Sequence, residues 1–370
     1  MEKKILYLFG FGRQERIANL SNYPGELFYG YTLLKEYYKN VEFIEAKSSR
    51  IRKFIQNNIE HKIGNVIKIP VLFSTFFSLK YFFKIKNSDI LIHSTHRTFI
   101  ATLPMLILLK LIGSTKTNIV FSMGMLREFP KNNILKKFKI KYIDKMFELS
   151  SKVYFLNNAE LNLANETFKK YKDKFNYYPF SADLNFWKII DGSRKKNQVL
   201  FVGNDGLRDY NFLIKLVNNL NEINFVIVSK FINKNLITNK NCKIIQGSWD
   251  DTLLSDEELL FLYNESKLTI LPLINSIQPS GQSVTLQSMA SGTPVIITKT
   301  EGFWDSKNFL DNQNIFFLEE NDILKWKEKI LEVLNFDDNK YKSISQNSIN
   351  LIKKKYSLEH LSNELIKFIN

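Results

Sequence analysis

The chain has 370 residues, 44% hydrophobic and 24% charged, a length that suits two cores better than one. Its single cysteine, Cys242, excludes an intramolecular disulfide and fits a reducing compartment. The net charge of +15 is lopsided: residues 1–190 carry 31 Lys and Arg against 15 Asp and Glu, and the remainder 21 against 22.

A basic half suits nucleic acid, an anionic membrane or phosphorylated ligands. Richness in Lys, Asn, Ile and Phe is also what AT-rich coding yields, although that leaves the balanced second half unexplained.

The first predicted element is the buried strand ILYLF, which runs into Gly10-Phe11-Gly12-Arg13. Its apolar run is too short for a secretion signal, and no stretch approaches the ~20 apolar residues that span a bilayer. The expectation is a cytoplasmic protein, soluble or peripheral on the inner face of the cytoplasmic membrane. A helix over 25–38 follows, then the strand VEFIEA, an aromatic helix over IKIPVLFSTFFSLKYFFKIK and the strand SDILIHSTH. LPMLILLKLIG reads as a helix closed by glycine, TNIVFSMG as a strand, 134–150 as a basic helix and KVYFLN as a strand.

After the polar stretch DGSRKKN the alternation restarts. NQVLFVG, INFVIVS, CKIIQG, LTILPL and PVIIT are the strands. Helices are expected over DYNFLIKLVNNL, 256–265 and the segment after Pro279, and SLEHLSNELIKFI begins at a serine cap. Strands alternating with helices indicate parallel sheets covered on both faces. The fold class is therefore α/β, with two Rossmann-like doubly wound domains facing a cleft. The expected division is 1–180, a linker 181–197, a donor-binding domain 198–345, and a C-terminal helical segment 346–370 packing back on the first domain.

Chemistry in such sheets gathers at the carboxyl ends of the strands. Gly12 and Arg13 follow the first strand, where glycine admits a ligand to the backbone and arginine meets a phosphate; a plain tight turn is the alternative. Gly203-Asn204-Asp205-Gly206-Leu207-Arg208 follows the first strand of the second half, offering a glycine turn and a guanidinium at a helix start. That combination suits a diphosphate, and the alternative is a surface arginine paired with Asp205 or Asp209. Ser280-Gly281-Gln282-Ser283 supplies amides and hydroxyls without charge at another helix start. Gln287 lies two turns on, with Thr285 and Ser288 beside it. His93 and His96 sit at the end of a first-half strand, next to Arg97.

These motifs resemble the large retaining glycosyltransferase family 4, which has the two-domain GT-B fold. The likeness rests on Leu271-Pro272 ending a strand and on the run Gln287-Ser288-Met289-Ala290-Ser291-Gly292-Thr293-Pro294-Val295-Ile296. Ser181-Ala182-Asp183 with Trp187 echoes the family's linker signature, and Gly203, Arg208 and Leu213 its first donor-domain turn. The likeness covers 180–310 and fades before it. Two glutamates eight residues apart mark the family; Pro279 and Gln287 stand at those positions, and Asn204 replaces the usual arginine.

The resemblance implies a nucleotide-diphosphate sugar of UDP or GDP type as substrate, no essential cofactor, no metal, and transfer with retention by a hexosyltransferase-like enzyme. Arg208 becomes the main diphosphate cation and Lys230 a second. Gly203, Asn204, Ser280, Gly281, Gln282, Ser283 and Gln287 line the donor site, with Gly12 and Arg13 opposite. The family often keeps a histidine in the first domain; the matching slot holds Met123, so His93 or His96 is the candidate substitute, the alternative being that neither stands in and both are structural. Asp250-Asp251 is expected to cap a helix or touch the base side of the donor.

The acceptor is expected to be a glycan or lipid-linked molecule in bacterial envelope polysaccharide, lipopolysaccharide or glycan synthesis. An anionic membrane is a candidate partner of 69–86 and of 135–145, through Lys136, Lys137, Lys139 and Lys141. No nucleic-acid module accompanies the charge, so no nucleic acid is expected. The alternatives are a non-catalytic GT-B subunit supporting a partner transferase and a GT-B sugar-nucleotide epimerase.

Overall fold

The computed structural model describes residues 3–246 and 254–370. Asp250 and Asp251 lie outside the described residues. The chain divides into two compact units. One comprises Met1–Asn19, Leu27–Pro179 and Glu364–Asn370; the other comprises Leu20–Glu26 and Phe180–Asn363.

The first unit holds strands β1 (Ile5–Phe9), β2 (Val41–Glu45), β3 (Ile90–His93), β4 (Thr117–Ser122), β5 (Lys152–Phe155) and β6 (Phe175–Tyr177). They form one parallel sheet in the order β2-β1-β3-β4-β5-β6. β1 and β3 are buried at every residue, as expected of strands covered on both faces. Helix His96–Leu111 starts at a capping box between Thr95 and Thr98. It ends in a Schellman motif: Gly113 at φ 78 donates to Lys110 O, and Ser114 to Leu109 O.

Two expected helices are broken. Over 67–86, Pro70 separates helix His61–Ile67 from the short helices Phe73–Phe76 and Leu79–Lys86. Over 25–38, a 3-10 turn at Glu26–Phe28 gives way to Tyr29 at φ 50 and Gly30 at φ 77, and the helix begins only at Tyr31.

The second unit holds β7 (Lys196–Val202), β8 (Asn224–Val228), β9 (Cys242–Ile245), β10 (Ser266–Leu271), β11 (Val295–Thr298) and β12 (Phe316–Leu318). They also form a parallel sheet, in the order β12-β11-β10-β7-β8-β9. The strand order reverses between β7 and β10, so the loops after these two strands meet at the topological switch. Leu213, Leu216 and Val217 pack against the sheet from one helix, and Trp326, Ile330 and Val333 from another.

The ten strands expected from sequence are present. Among the described residues, β6 and β12 were not expected; they are edge strands of three residues, too short to show a period.

Candidate functional site

In the second unit the loop after β7 is stitched to the end of β10. Asp209 N donates to Pro272 O and Ile274 N to Leu207 O, giving an antiparallel bridge at Arg208 and Leu273. That staple turns the Arg208 side chain inward, where it is 4% exposed. Its Nη1 pairs with Asp205 Oδ2 at 2.9 Å and donates to Ser280 Oγ. A Cβ at Gly203 would lie 2.6 Å from Arg208 Nε, so only glycine lets the arginine stem cross there.

Ser280 precedes helix Gln282–Ala290, whose N-cap is Gly281 at φ 80. Glycine brings no capping side chain to the first-turn amides at the positive helix end. Gly281 itself lies near Arg208: a Cβ there would be 3.8 Å from Nη1. Gln282 is buried and Ser283 half-buried. The site thus joins a guanidinium, a hydroxyl and a helix N-terminus, a set that neutralises a diphosphate. A carboxylate already leans into it: Asp205 accepts from Ser280 Oγ at 3.2 Å, from Arg208, and from Leu207 N at 2.8 Å.

The other candidates are spent differently. Asn204 Oδ1 accepts from Lys230 N at 2.7 Å and from Ser229 Oγ, tying the ends of β7 and β8 together. Lys230 is exposed, its ammonium 5.4 Å from the Phe231 ring. Gln287 is buried on protein partners: its Nε2 donates to Glu26 Oε1 at 3.0 Å and its Oε1 accepts from Tyr263.

Glu26 was not singled out by sequence, where it is an ordinary acid in a loop. It belongs to the second unit through the segment Leu20–Glu26. Its carboxyl also accepts from Trp187 Nε1 at 2.7 Å and from Asp183 N, while Asp183 accepts from Gly25 N. Burial pushes the Glu26 pKa from 4.5 to about 7, against the lowering effect of these hydrogen bonds. Asp183 and Trp187, noted as a linker echo, are therefore the partners that hold this carboxyl in place.

In the first unit, Gly12 at φ 79 caps the short helix Arg13–Ala18. The amides of Arg13 and Gln14 donate to the Glu45 carboxylate at 2.8 and 3.0 Å, so a protein carboxylate holds the place expected for a phosphate. His93 is fully buried, edge-on to Phe99, with Nε2 3.2 Å from Asn118 Oδ1. The Asn118 amide nitrogen donates to Leu149 O, so its oxygen accepts and His93 carries its proton on Nε2. Burial holds the His93 pKa down at about 3. His96 opens its helix and accepts from Met123 N at 3.4 Å, which places it beside the residue in the family's histidine slot. Its pKa is also about 3, from burial and then from Arg97, Lys139 and Arg127. Both imidazoles are neutral at pH 7.

Among the described residues, no group of three His, Cys, Asp or Glu stands close enough to hold a metal.

Residues 185–351, which lie in the second unit and include this loop pair, match the family model described as glycosyl transferases group 1. Along 99% of its length the chain superposes on 99% of Anabaena Alr3699/HepE in complex with UDP and glucose, at 11% identity and a TM-score of 0.66. It covers 98% of sucrose-phosphate synthase from Thermosynechococcus elongatus at 9% identity and a TM-score of 0.68. It covers 97% of a glycosyltransferase from Rickettsia africae ESF-5 at 15% identity and a TM-score of 0.60. The fold is GT-B.

At such identities the structural likeness carries the GT-B fold alone, and the family match adds support for a glycosyltransferase in the second unit. None of the curated proteins compared matches the sequence. Among the described residues, no helix of this GT-B chain is long and apolar enough to cross a membrane.

Proposed function

We propose that the protein transfers a sugar from a nucleotide-diphosphate sugar to an acceptor hydroxyl. The observation that carries this reading is the Arg208–Ser280 pair at the N-terminus of helix Gln282–Ala290, inside the segment that matches the transferase model. A leaving diphosphate gains charge as the glycosidic bond breaks, and a buried guanidinium, a hydroxyl and a helix end stabilise that charge. Arg208 must exchange Asp205 for phosphate oxygens as the donor enters.

Retention follows from the family resemblance. The leaving phosphate oxygen would take the acceptor proton on the same face, so no protein nucleophile is needed. A UDP sugar is the first donor to test, because Anabaena Alr3699/HepE is bound to UDP. We place the reaction in bacterial envelope glycan synthesis in the cytoplasm, with an acceptor presented at an anionic membrane. The charge of residues 1–190 supports the membrane part.

The test is turnover of UDP- and GDP-sugars by the purified protein, followed as nucleotide release with and without acceptor. Arg208→Ala should lower kcat/KM for the donor about 10²–10³-fold with an unchanged circular dichroism spectrum. Near-normal turnover by that variant would sink the assignment. A second reading, a non-catalytic subunit supporting a partner transferase, is favoured by one observation: Gln287 is engaged by Glu26 and Tyr263, and Pro279 offers no side-chain polar group. Donor binding without turnover, under any acceptor, would select it.

A further inference from the structure

The first unit carries exposed apolar surface in an unusual place. Residues Arg50–Ile67 form a continuous helical segment interrupted by one π turn, Gln56–Glu60. Ile51 is 74% exposed and Phe54 64%, and Ile59, Ile63 and Val66 are exposed too. In an unbroken α-helix, Phe54 and Ile59 would point about 140° apart. The π turn absorbs the extra residue, because its hydrogen bonds close over five residues instead of four. Ile51 and Phe54 therefore continue the line of Ile59, Ile63 and Val66. The guanidinium of Arg52 donates to Thr75 O and Phe77 O and so brings Phe77, 75% exposed, alongside the helix.

Charge says what meets this stripe. The exposed ionic groups of the segment are basic: Arg50, Lys53 and Lys62. Its one acid, Glu60, is turned inward, buried and bonded to Ser74 N and Oγ at 2.8 Å. Gly64 fixes the inner side, since a Cβ there would meet Ile69 O at 2.7 Å. Asn57, Asn58, His61 and Asn65 are exposed beside the cations, and an apolar line whose exposed charged side chains are all cationic matches an interfacial helix on anionic lipid.

We propose that segment 50–67 is a membrane-docking element that lies in the interface of an anionic bilayer, with Ile51, Phe54 and Ile63 entering the headgroup boundary. This rests on the peripheral-membrane part of the proposed function and names the element responsible. The segment is a different element from the basic helix Asn133–Leu149, where Lys136, Lys137 and Lys141 are exposed and Lys139 is buried.

The test is flotation of the full chain with phosphatidylcholine vesicles, with and without phosphatidylglycerol. The wild type should float only with the anionic vesicles, and less so at high salt. The exposed-site double variant Phe54→Ser/Ile63→Ser should lose about tenfold in vesicle binding while retaining UDP binding by calorimetry. Lys136→Gln/Lys137→Gln should keep most of the vesicle binding. No flotation of the wild type overturns the proposal, as does flotation of Phe54→Ser/Ile63→Ser at the wild-type level. A dimer seen by light scattering that the same variant splits would show instead that the stripe is a protein interface. Wild-type flotation without any nucleotide-sugar binding would leave the docking element standing and remove the transferase reading.

Discussion

Arg208 and Asp205 set the terms of the site. The guanidinium is buried and the carboxylate half-exposed, so under the proposed function their ion pair is the one a donor diphosphate must displace. Asp205 also presents a negative charge where two phosphates would bring more. Asp205→Asn removes both effects while keeping an acceptor for Leu207 N and Ser280 Oγ. It should tighten UDP binding about fivefold, the ~1 kcal/mol scale of a half-exposed ion pair, as read by isothermal titration; weaker binding would show that Asp205 contacts the donor favourably. At this scale the sequence was partly legible. Arg208, its Asp205 alternative and Ser280 all stood out as residue types at a strand end. Glu26 and Glu45 did not, because a lone acid in a loop carries no pattern until the fold brings donors to it.

Among the elements, the segment Leu20–Glu26 has the clearest energetic signature. It reaches helix Gln282–Ala290 and the residues around Trp187 through one buried carboxyl that accepts from Gln287, Trp187 and Asp183. Glu26 holds its proton more tightly in the folded chain, with a pKa of about 7 against 4.5. The stabilisation this gives is complete below about pH 4.5 and is lost as pH rises through about 7, a span worth about 3 kcal/mol. Glu26→Gln keeps an oxygen for Trp187 and Gln287 and does not titrate. Melting temperatures across pH 5–8 should therefore fall less steeply in Glu26→Gln than in the wild type, with the variant the more stable at pH 8. Parallel slopes would show that Glu26 is ionised throughout. Element boundaries were less legible than element types. Pro70 and the positive φ of Tyr29 and Gly30 interrupt stretches whose apolar content alone reads as continuous helix.

For the whole molecule, the last seven residues belong to the first unit, although the chain before them belongs to the second. Leu365 is fully buried and Ile369 nearly so, and Tyr38 donates to Asn370 Oδ1 at 2.7 Å. Ending the chain at Asn363 should cost about 3–6 kcal/mol from the two aliphatic side chains, visible as a lower urea midpoint. An unchanged midpoint would mean that these residues contribute no stability.

The amino-acid sequence by itself determined the α/β class and the two parallel sheets. Strands buried on both faces must be written as unbroken apolar runs, and glycine turns must follow them. It also placed a guanidinium and a small hydroxyl-rich helix start at the strand ends, because such groups announce themselves by residue type. Only the tertiary structure decided how those groups are engaged. Gln287 faces Glu26 rather than standing open, Glu45 takes the amides of Arg13 and Gln14, and Lys139 turns inward to Lys68 O and Glu128 O. Each depends on a partner 11 to 261 residues away in the chain. Local periodicity does not encode such pairings, and burial makes them obligatory once the fold has formed.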